Sequence, residues 1–482
     1  MIPPSTHEQA DKDHPYKSIP SLAGLCSMTQ AQTPGLSVNE VVDRLKRFHY
    51  AFKRLHHLLT AHITAEPVYE LKTAYSHHAY LCAEHVAALR KRVGEMREPP
   101  LGLEKVPHPA LEVLFDEILC APASEALVLG VYEVALPALR AGLERHLVDT
   151  HRLADAPSVR VCRFALLEVN DMIQLGEKAV TSLLGDAARS ELAPWKTLLE
   201  QCLDAAGGLD GTGERTDVLP GRRFSAMPYE YDGVPKRDER FRDPYNAGVN
   251  AETFLYDEKM PANAKTLMMY YKRIRELDVP EMMASFITET EGKPWDYYLD
   301  MTRQLWDEAR HAMMGEVGFN SLGIDWTRIP INFTWSLNLN TQLKPIERNA
   351  VLYFIEQGLM SRTGKRYEWE VGRASGDPLS GLFQDYDWAD EVLHAAIGRK
   401  WYVSEIGDAK EAIAYGDRCW SKVMVHWREY KEGGLTEHRN WWPQVYRQAC
   451  EHWGVEPDAR ALAFDETYEN IRADLKEISA SG

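Results

Sequence analysis

The residues best able to do chemistry in this chain are two copies of one short pattern. Asp307-Glu308-Ala309-Arg310-His311 places a Glu and a His three apart. Asp390-Glu391-Val392-Leu393-His394 does so again, each time with an Asp immediately before the Glu. On a helix, residues three apart share a face. A hard carboxylate oxygen and an imidazole nitrogen then point at one place, which suits a divalent metal ion. Between the two copies lies Glu356, in the run Leu352-Tyr353-Phe354-Ile355-Glu356. A carboxylate among such neighbours is costly to bury unless it is paired or ligated. Upstream, the helical stretch 262–290 offers Glu276 and Glu281.

The order Glu, Glu-x-x-His, Glu, Glu-x-x-His is that of a four-helix bundle with two metal ions in its core. One Glu comes from each of two helices and a Glu-x-x-His from each of the other two. The chain supplies Glu276, Glu308 with His311, Glu356, and Glu391 with His394. Spacing bears on the first of these. The break Gly292-Lys293-Pro294 separates two helical stretches, and Glu308 lies 16 residues after Gly292. In an antiparallel pair its counterpart lies 16 residues before, at Glu276. Glu281 is out of level by about a turn and a half, but Pro280 can kink that helix, so Glu281 stays the alternative. Glu289 and Glu291 are too close to the turn.

The elements that must position these groups are helical throughout. Apolar periodicity predicts helices near 38–63, 67–96, 109–118, 123–149, 158–185 and 190–204 in the first half. In the second half it predicts 262–290, 294–317, 343–363, 383–403, 408–431, 438–453 and 458–478. Strand alternation is scarce, so the expected fold class is all-α, built from bundles. Residues 1–36 read as an extended, polar arm. Residues 37–204 read as a first helical bundle and 205–260, rich in Gly and Pro, as a linker. Residues 261–405 are the motif-bearing bundle and 406–482 a set of C-terminal helices. The first bundle has the steps of a worn copy of the second. Glu356 to Glu391 and Glu133 to Glu168 are both 35 residues, and Glu308 to Glu356 is 48 where Glu84 to Glu133 is 49. In that mapping both His positions and one Glu are lost, so the first bundle is expected to be a metal-free pseudo-repeat.

With these residues in view, 262–403 resembles the ferritin-like di-iron carboxylate superfamily. Asp307 to His311 matches the [DE]-E-x-R-H signature of its oxygenases and desaturases. Together with Glu356-Gln357-Gly358 and Asp390 to His394, it resembles an uncharacterised bacterial ferritin-like family with DEARH, a later E-x-R-G and DE-x-x-H. The resemblance implies a ferritin-like four-helix bundle holding two iron ions. Glu276, Glu308, Glu356 and Glu391 would be carboxylate ligands, and His311 and His394 one imidazole for each metal. Glu308 and Glu391 would be the shared bridges. Asp307 and Asp390 would each accept the outward N–H of the His on the facing helix. The second motif has no Arg before its His, so any role of Arg310 is expected on one side only. Manganese in place of one or both irons is compatible with the same ligands.

The implied activity is that of a di-iron oxygenase or oxidase. It would use dioxygen as co-substrate and an external electron donor to hydroxylate, N-oxygenate or desaturate a small organic molecule. No nicotinamide or flavin fingerprint is visible, and Gly207–Gly213 lacks the strand and the GK[ST] ending of a phosphate loop. The alternatives are a ferroxidase or other metal-handling protein, and a non-catalytic structural helical protein. Lys and Arg number 55 against 72 Asp and Glu, a net charge of −17, which disfavours nucleic acid and anionic membranes as partners. The N-terminus has no apolar signal segment. The longest apolar run, Ala126 to Leu139, is short for a membrane span and carries Glu133. Seven scattered cysteines without a CxxC fit a reducing compartment, so the expected location is the cytoplasm. A homodimer is expected on fold grounds alone. Trp295, Trp306, Trp388, Trp401, Tyr297, Tyr298, Tyr386 and Tyr402 crowd the motif region and are read chiefly as core rather than as cavity wall.

Overall fold

The computed structural model describes residues 18–97, 102–361 and 364–468. Every named element among them is helical; the one β contact is an isolated bridge between Val249 and Thr467. The helices used below are α1 (Val38–Ile63), α2 (Tyr69–Gly94), α3 (Pro109–Leu119), α4 (Ser124–Asp149), α5 (Ala156–Leu183) and α6 (Asp186–Ala205). They continue with α7 (Ala262–Arg275), α8 (Asp278–Glu289), α9 (Trp295–Ser321), α10 (Thr334–Gln342), α11 (Pro345–Leu359), α12 (Lys365–Ala374), α13 (Pro378–Gly398), α14 (Ala409–Lys422) and α15 (Trp442–Trp453). The chain divides into two compact units. One is Met1–Leu55 with Glu84–Pro228, the other His56–Ala83 with Tyr229–Gly482, so the divisions fall inside α1 and α2.

In the first unit α4 runs through a π-helical stretch at Leu129–Ala135. It is longer than the apolar run read from the sequence, and it is long and apolar enough to cross a membrane. However, 72 % of its most apolar stretch is buried in the fold, as in a core helix. The three carboxylates of the expected pseudo-repeat have separate surroundings. Glu84 is exposed, Glu133 accepts from Arg189 at 3.0 Å, and Glu168 lies 2.6 Å from His85 Nε2.

In the second unit α8 packs against α9 and α11, and α13 packs against the same two helices, closing a ring of four. Helix ends follow local chemistry. Pro345 and Pro378 open α11 and α13, where a missing N–H costs nothing. The Asp377 carboxylate accepts from the backbone N–H groups of Leu379 and Ser380 to cap α13. Gly315 and Gly318 let α7 lie close against α9. A Cβ at Gly315 would fall 2.3 Å from Ile274 N, and one at Gly318 would meet the Tyr270 ring. Beside this contact a core of Tyr270, Tyr271, Phe319, Trp441, Trp442 and Tyr446 is almost entirely buried. Each such side chain contributes about 1.5–3 kcal/mol by leaving water.

Several predicted boundaries shift. The stretch 262–290 is two helices, not one. Pro280 has no N–H to donate to the Glu276 carbonyl and its ring would strike it, so α7 ends at Arg275 and α8 begins at Asp278. The predicted helix 343–363 ends at Leu359, with residues 362–363 outside the described residues. The stretch 408–431 is interrupted at 423–426, and of 458–478 only Ala459–Leu462 is helical within the described residues. Helices α10 and α12 were not anticipated.

Candidate metal centre

Each of the six residues singled out from the sequence sits on a helix of the four-membered ring or at its broken corner. Glu276 lies at the break between α7 and α8, where its N–H donates to Arg273 O at 3.0 Å. Glu308 and His311 are on α9, Glu356 on α11, and Glu391 and His394 on α13. All belong to the second unit. The break turns Glu276 away from a regular helical course, and its side chain is the most exposed of the six, at 15 %.

Ligand-capable atoms of Glu276, Glu308, His311 and Glu391 lie within 4.8 Å of one another, and those of Glu308, Glu356, Glu391 and His394 do the same. The two groups share Glu308 and Glu391. The distances are those of side chains aimed at common points. His394 Nδ1 is 3.1 Å from Glu308 and 3.6 Å from Glu391, and His311 Nδ1 is 3.4 Å from Glu276 and 3.6 Å from Glu308. Each of the six keeps one buried atom without a hydrogen-bond partner: Glu276 Oε2, Glu308 Oε1, His311 Nδ1, Glu356 Oε2, Glu391 Oε2 and His394 Nδ1. Buried polar atoms are rarely left so. Six of them, all acceptors or imidazole nitrogens, fit a site built to hold metal ions.

The outward faces of the imidazoles are tied across the centre. His311 Nε2–H donates to Asp390 at 3.2 Å and His394 Nε2–H to Asp307 at 3.3 Å. Arg310 bonds Asp307 and also donates to Asp390 at 2.8 Å. Its role is therefore two-sided, contrary to the expectation from the missing second Arg: one guanidinium reaches both aspartates because they face each other. Arg303, one turn before Asp307, adds bonds of 2.9 and 3.0 Å to its two oxygens. Glu281, the alternative first ligand, lies elsewhere. It is fully buried and held by Lys72, by Arg237 at 3.0 Å and by the Ser336 hydroxyl at 2.9 Å.

Burial and charge set the protonation of these groups. Burial disfavours a charged imidazole, but Asp390, Glu276 and Glu308 outweigh it and hold His311 up to about 10. His394 is likewise raised, against burial, by Asp307, Glu308 and Glu391. Burial would also raise Glu276, yet Arg273 and Lys365 bring it down to about 2. Glu356 has no such cation; burial and then Glu391 push it well above the usual carboxylate range. Glu391, opposed by burial, is held well below it by Lys365.

Sequence reasoning missed Lys365, Asp387, Arg273 and Gln304. Lys365 Nζ is 2.9 Å from Glu391 and from Asp387, and Gln304 donates to Glu356 at 3.1 Å. Asp387 stands one turn before Glu391 on α13, so helical spacing could have found it. Lys365 opens a helix that no periodicity announced.

A cavity of about 160 Å³ opens against the four carboxylates Glu276, Glu308, Glu356 and Glu391, while neither imidazole lines it. Its apolar wall includes Val279, Met282, Leu339, Leu352 and Leu359, with Trp335 and Trp420, whose rings stack at 4.5 Å. None of the eight aromatic residues noted around the motifs lines this cavity. The chain matches no protein-family model, no curated protein and no solved structure.

Proposed function

We propose that this protein is a ferritin-like, non-haem di-iron oxidoreductase that uses dioxygen to oxidise a small organic substrate. The observation that carries the reading is the sharing of Glu308 and Glu391 between two four-residue groups, each completed by one further Glu and one His. Glu276 and His311 would hold one ion, Glu356 and His394 the other, with Glu308 and Glu391 between them. A reduced iron pair there supplies the capacity to reduce dioxygen, with electrons from an external donor.

The chain's own residues would do the rest. Asp307 and Asp390 fix each imidazole with Nδ1 inward, and Arg310 locks the two aspartates together. The imidazoles close one side and the carboxylates face the cavity, so open metal positions would meet the substrate there. The wall is largely apolar but also carries Glu252, Lys272, Arg275 and Asp278, which suits a small molecule with an apolar body and a polar group. A cavity of about 160 Å³ has room for a small molecule only. A shaped cavity of this kind favours an organic oxidation over iron storage.

The test is elemental analysis of protein loaded anaerobically with ferrous iron and then exposed to air. Glu308→Ala and His394→Ala are measured beside the wild type. About two irons per chain are expected, by analogy with di-iron bundles, with a near-ultraviolet band after air exposure and loss of both in the variants. A wild type that binds no metal overturns the proposal.

A further inference from the structure

Fixed positive charge is unevenly placed around the centre. Beside Glu276 and His311, Lys365 Nζ lies 2.9 Å from Glu391 Oε1 and 3.7 Å from Glu276 Oε1. Arg273 Nη2 lies 2.9 Å from the same Glu276 oxygen. Both cations are fully buried, so they cannot swing out to water. Asp387 pairs with Lys365 at 2.9 Å and with Arg273, and Glu368, which also pairs with Lys272, lies 3.7 Å from Arg273; these partly offset the positive charge. Beside Glu356 and His394 the arrangement differs. Among the described residues, Glu356 has the neutral amide of Gln304 at 3.1 Å and no Lys or Arg in ion-pair reach.

A divalent ion approaching the first half therefore meets a lysine and an arginine already bonded to its ligands, whereas in the second half Glu356 has no Lys or Arg partner among the described residues. Like charges at such distances repel strongly in a buried site. The Lys365 ammonium holds Glu391 Oε1, whereas Glu391 Oε2 lies 3.6 Å from His394 Nδ1, on the side of the second half.

Resting on the di-metal reading above, we infer that the two halves load in order: Glu356 and His394 take the first ion, and Lys365 acts as the stand-in cation of the Glu276–His311 half until a second ion displaces it from Glu391. Lys365 is thus a positioning residue that sets the affinity of one half. The chain accordingly has a stable one-metal form, and different metals can enter the two halves in sequence.

Titration with Mn(II), followed by equilibrium dialysis and by electron paramagnetic resonance, tests this without any turnover assay. Wild-type protein should bind in two phases separated by about 10- to 100-fold in Kd, the range over which groups next to metal ligands tune affinity. The first phase should show an isolated ion, and spin coupling should appear only in the second. Lys365→Met should tighten the second phase by about tenfold, while Lys365→Arg keeps the two phases. Glu276→Gln should remove the weak phase alone and Glu356→Gln the tight one, an assignment that does not depend on any Lys365 variant folding. Two ions entering in one phase, or an assignment of the phases the other way round, overturns the inference and leaves the di-metal reading intact. Absence of binding to the wild type overturns both.

Discussion

His311 Nε2 lies 3.2 Å from the carboxylate of Asp390, the residue that precedes the Glu of the opposite motif, and His394 Nε2 lies 3.3 Å from Asp307 in the mirror relation. The two Asp-Glu-x-x-His segments are therefore interlocked. Each supplies a carboxylate and an imidazole to the centre and an aspartate that orients the other's imidazole.

Each crossed pair should control one half of the centre. Asp390→Asn keeps an acceptor for His311 but removes the charge that makes Nδ1 a better ligand. It is expected to weaken binding at the Glu276–His311 half by about 10- to 100-fold, with little effect on the other. Asp307→Asn should do the reverse. Metal titration of the two variants checks this, and equal weakening of both phases by either one would contradict it.

Glu281 should matter for folding and not for metal. Its carboxylate is buried with Lys72 and Arg237, so Glu281→Gln leaves two buried cations with one neutral amide. Breaking a buried pair in this way costs about 3–5 kcal/mol. Denaturant unfolding should show that loss, while metal per folded chain stays at the wild-type value. A fall in metal content with unchanged stability would return Glu281 to the ligand set.

How much of this was legible in the sequence depends on the range of the interaction. The all-helical class and the site-bearing helix α9 follow from apolar periodicity, which is local. Counting outward from the Gly292 turn put Glu276 level with Glu308 and left Glu281 open, because an antiparallel pair keeps its levels but a proline can shift them. Arg310 was misjudged because its partner Asp390 is 80 residues away, and no local spacing says that one guanidinium reaches both aspartates. Lys365 was invisible for a related reason. Its function is defined by Glu391 and Asp387 on another helix, and no spacing along the chain marks that pairing. The aromatics beside the motifs were read as core, and none of them lines the cavity; its own aromatic wall was not read from the sequence. Trp335 and Trp420 come from α10 and α14, which meet only in the folded chain.

Gly315 should couple helix packing to the centre. A Cβ there would lie 2.3 Å from Ile274 N, a backbone atom two residues before Glu276. Backbone cannot rotate aside as a side chain can, so Gly315→Ala must push α7 away from α9. Overpacking of this kind costs about 1–3 kcal/mol. The shift should also carry Glu276 outward and weaken the second Mn(II) phase, leaving the first. Gly292→Ala is the control, since a Cβ there meets nothing, although its φ of +75° carries backbone strain of its own. It should lower stability without touching either phase.

The protonation of the metal-free centre predicts a pH dependence of stability that metal binding should weaken. His311 is held up to about 10 in the fold, against about 6.5 in an unfolded chain. A group raised in this way binds its proton more tightly when folded. Its contribution is therefore complete below about pH 6.5 and is lost as the pH climbs toward 10. His394, raised by Asp307 and Glu308, acts in the same direction. Asp307, brought down to about 2 against burial by His394, Arg303 and Arg310, acts at the other end; its contribution is present above about pH 4 and is lost as the pH falls toward 2. The metal-free protein should thus lose melting temperature steadily from about pH 6.5 to 10. With metal bound, both imidazoles have already given up the Nδ1 proton, so this slope should flatten. The same exchange makes metal uptake release protons, because each imidazole must give up its Nδ1 proton to act as a ligand. Calorimetric titration at pH 7 in buffers of different ionisation enthalpy measures the number directly. A melting temperature that rises between pH 6.5 and 10 without metal, or uptake with no proton release, would show that these histidines are not held as imidazolium by the surrounding carboxylates.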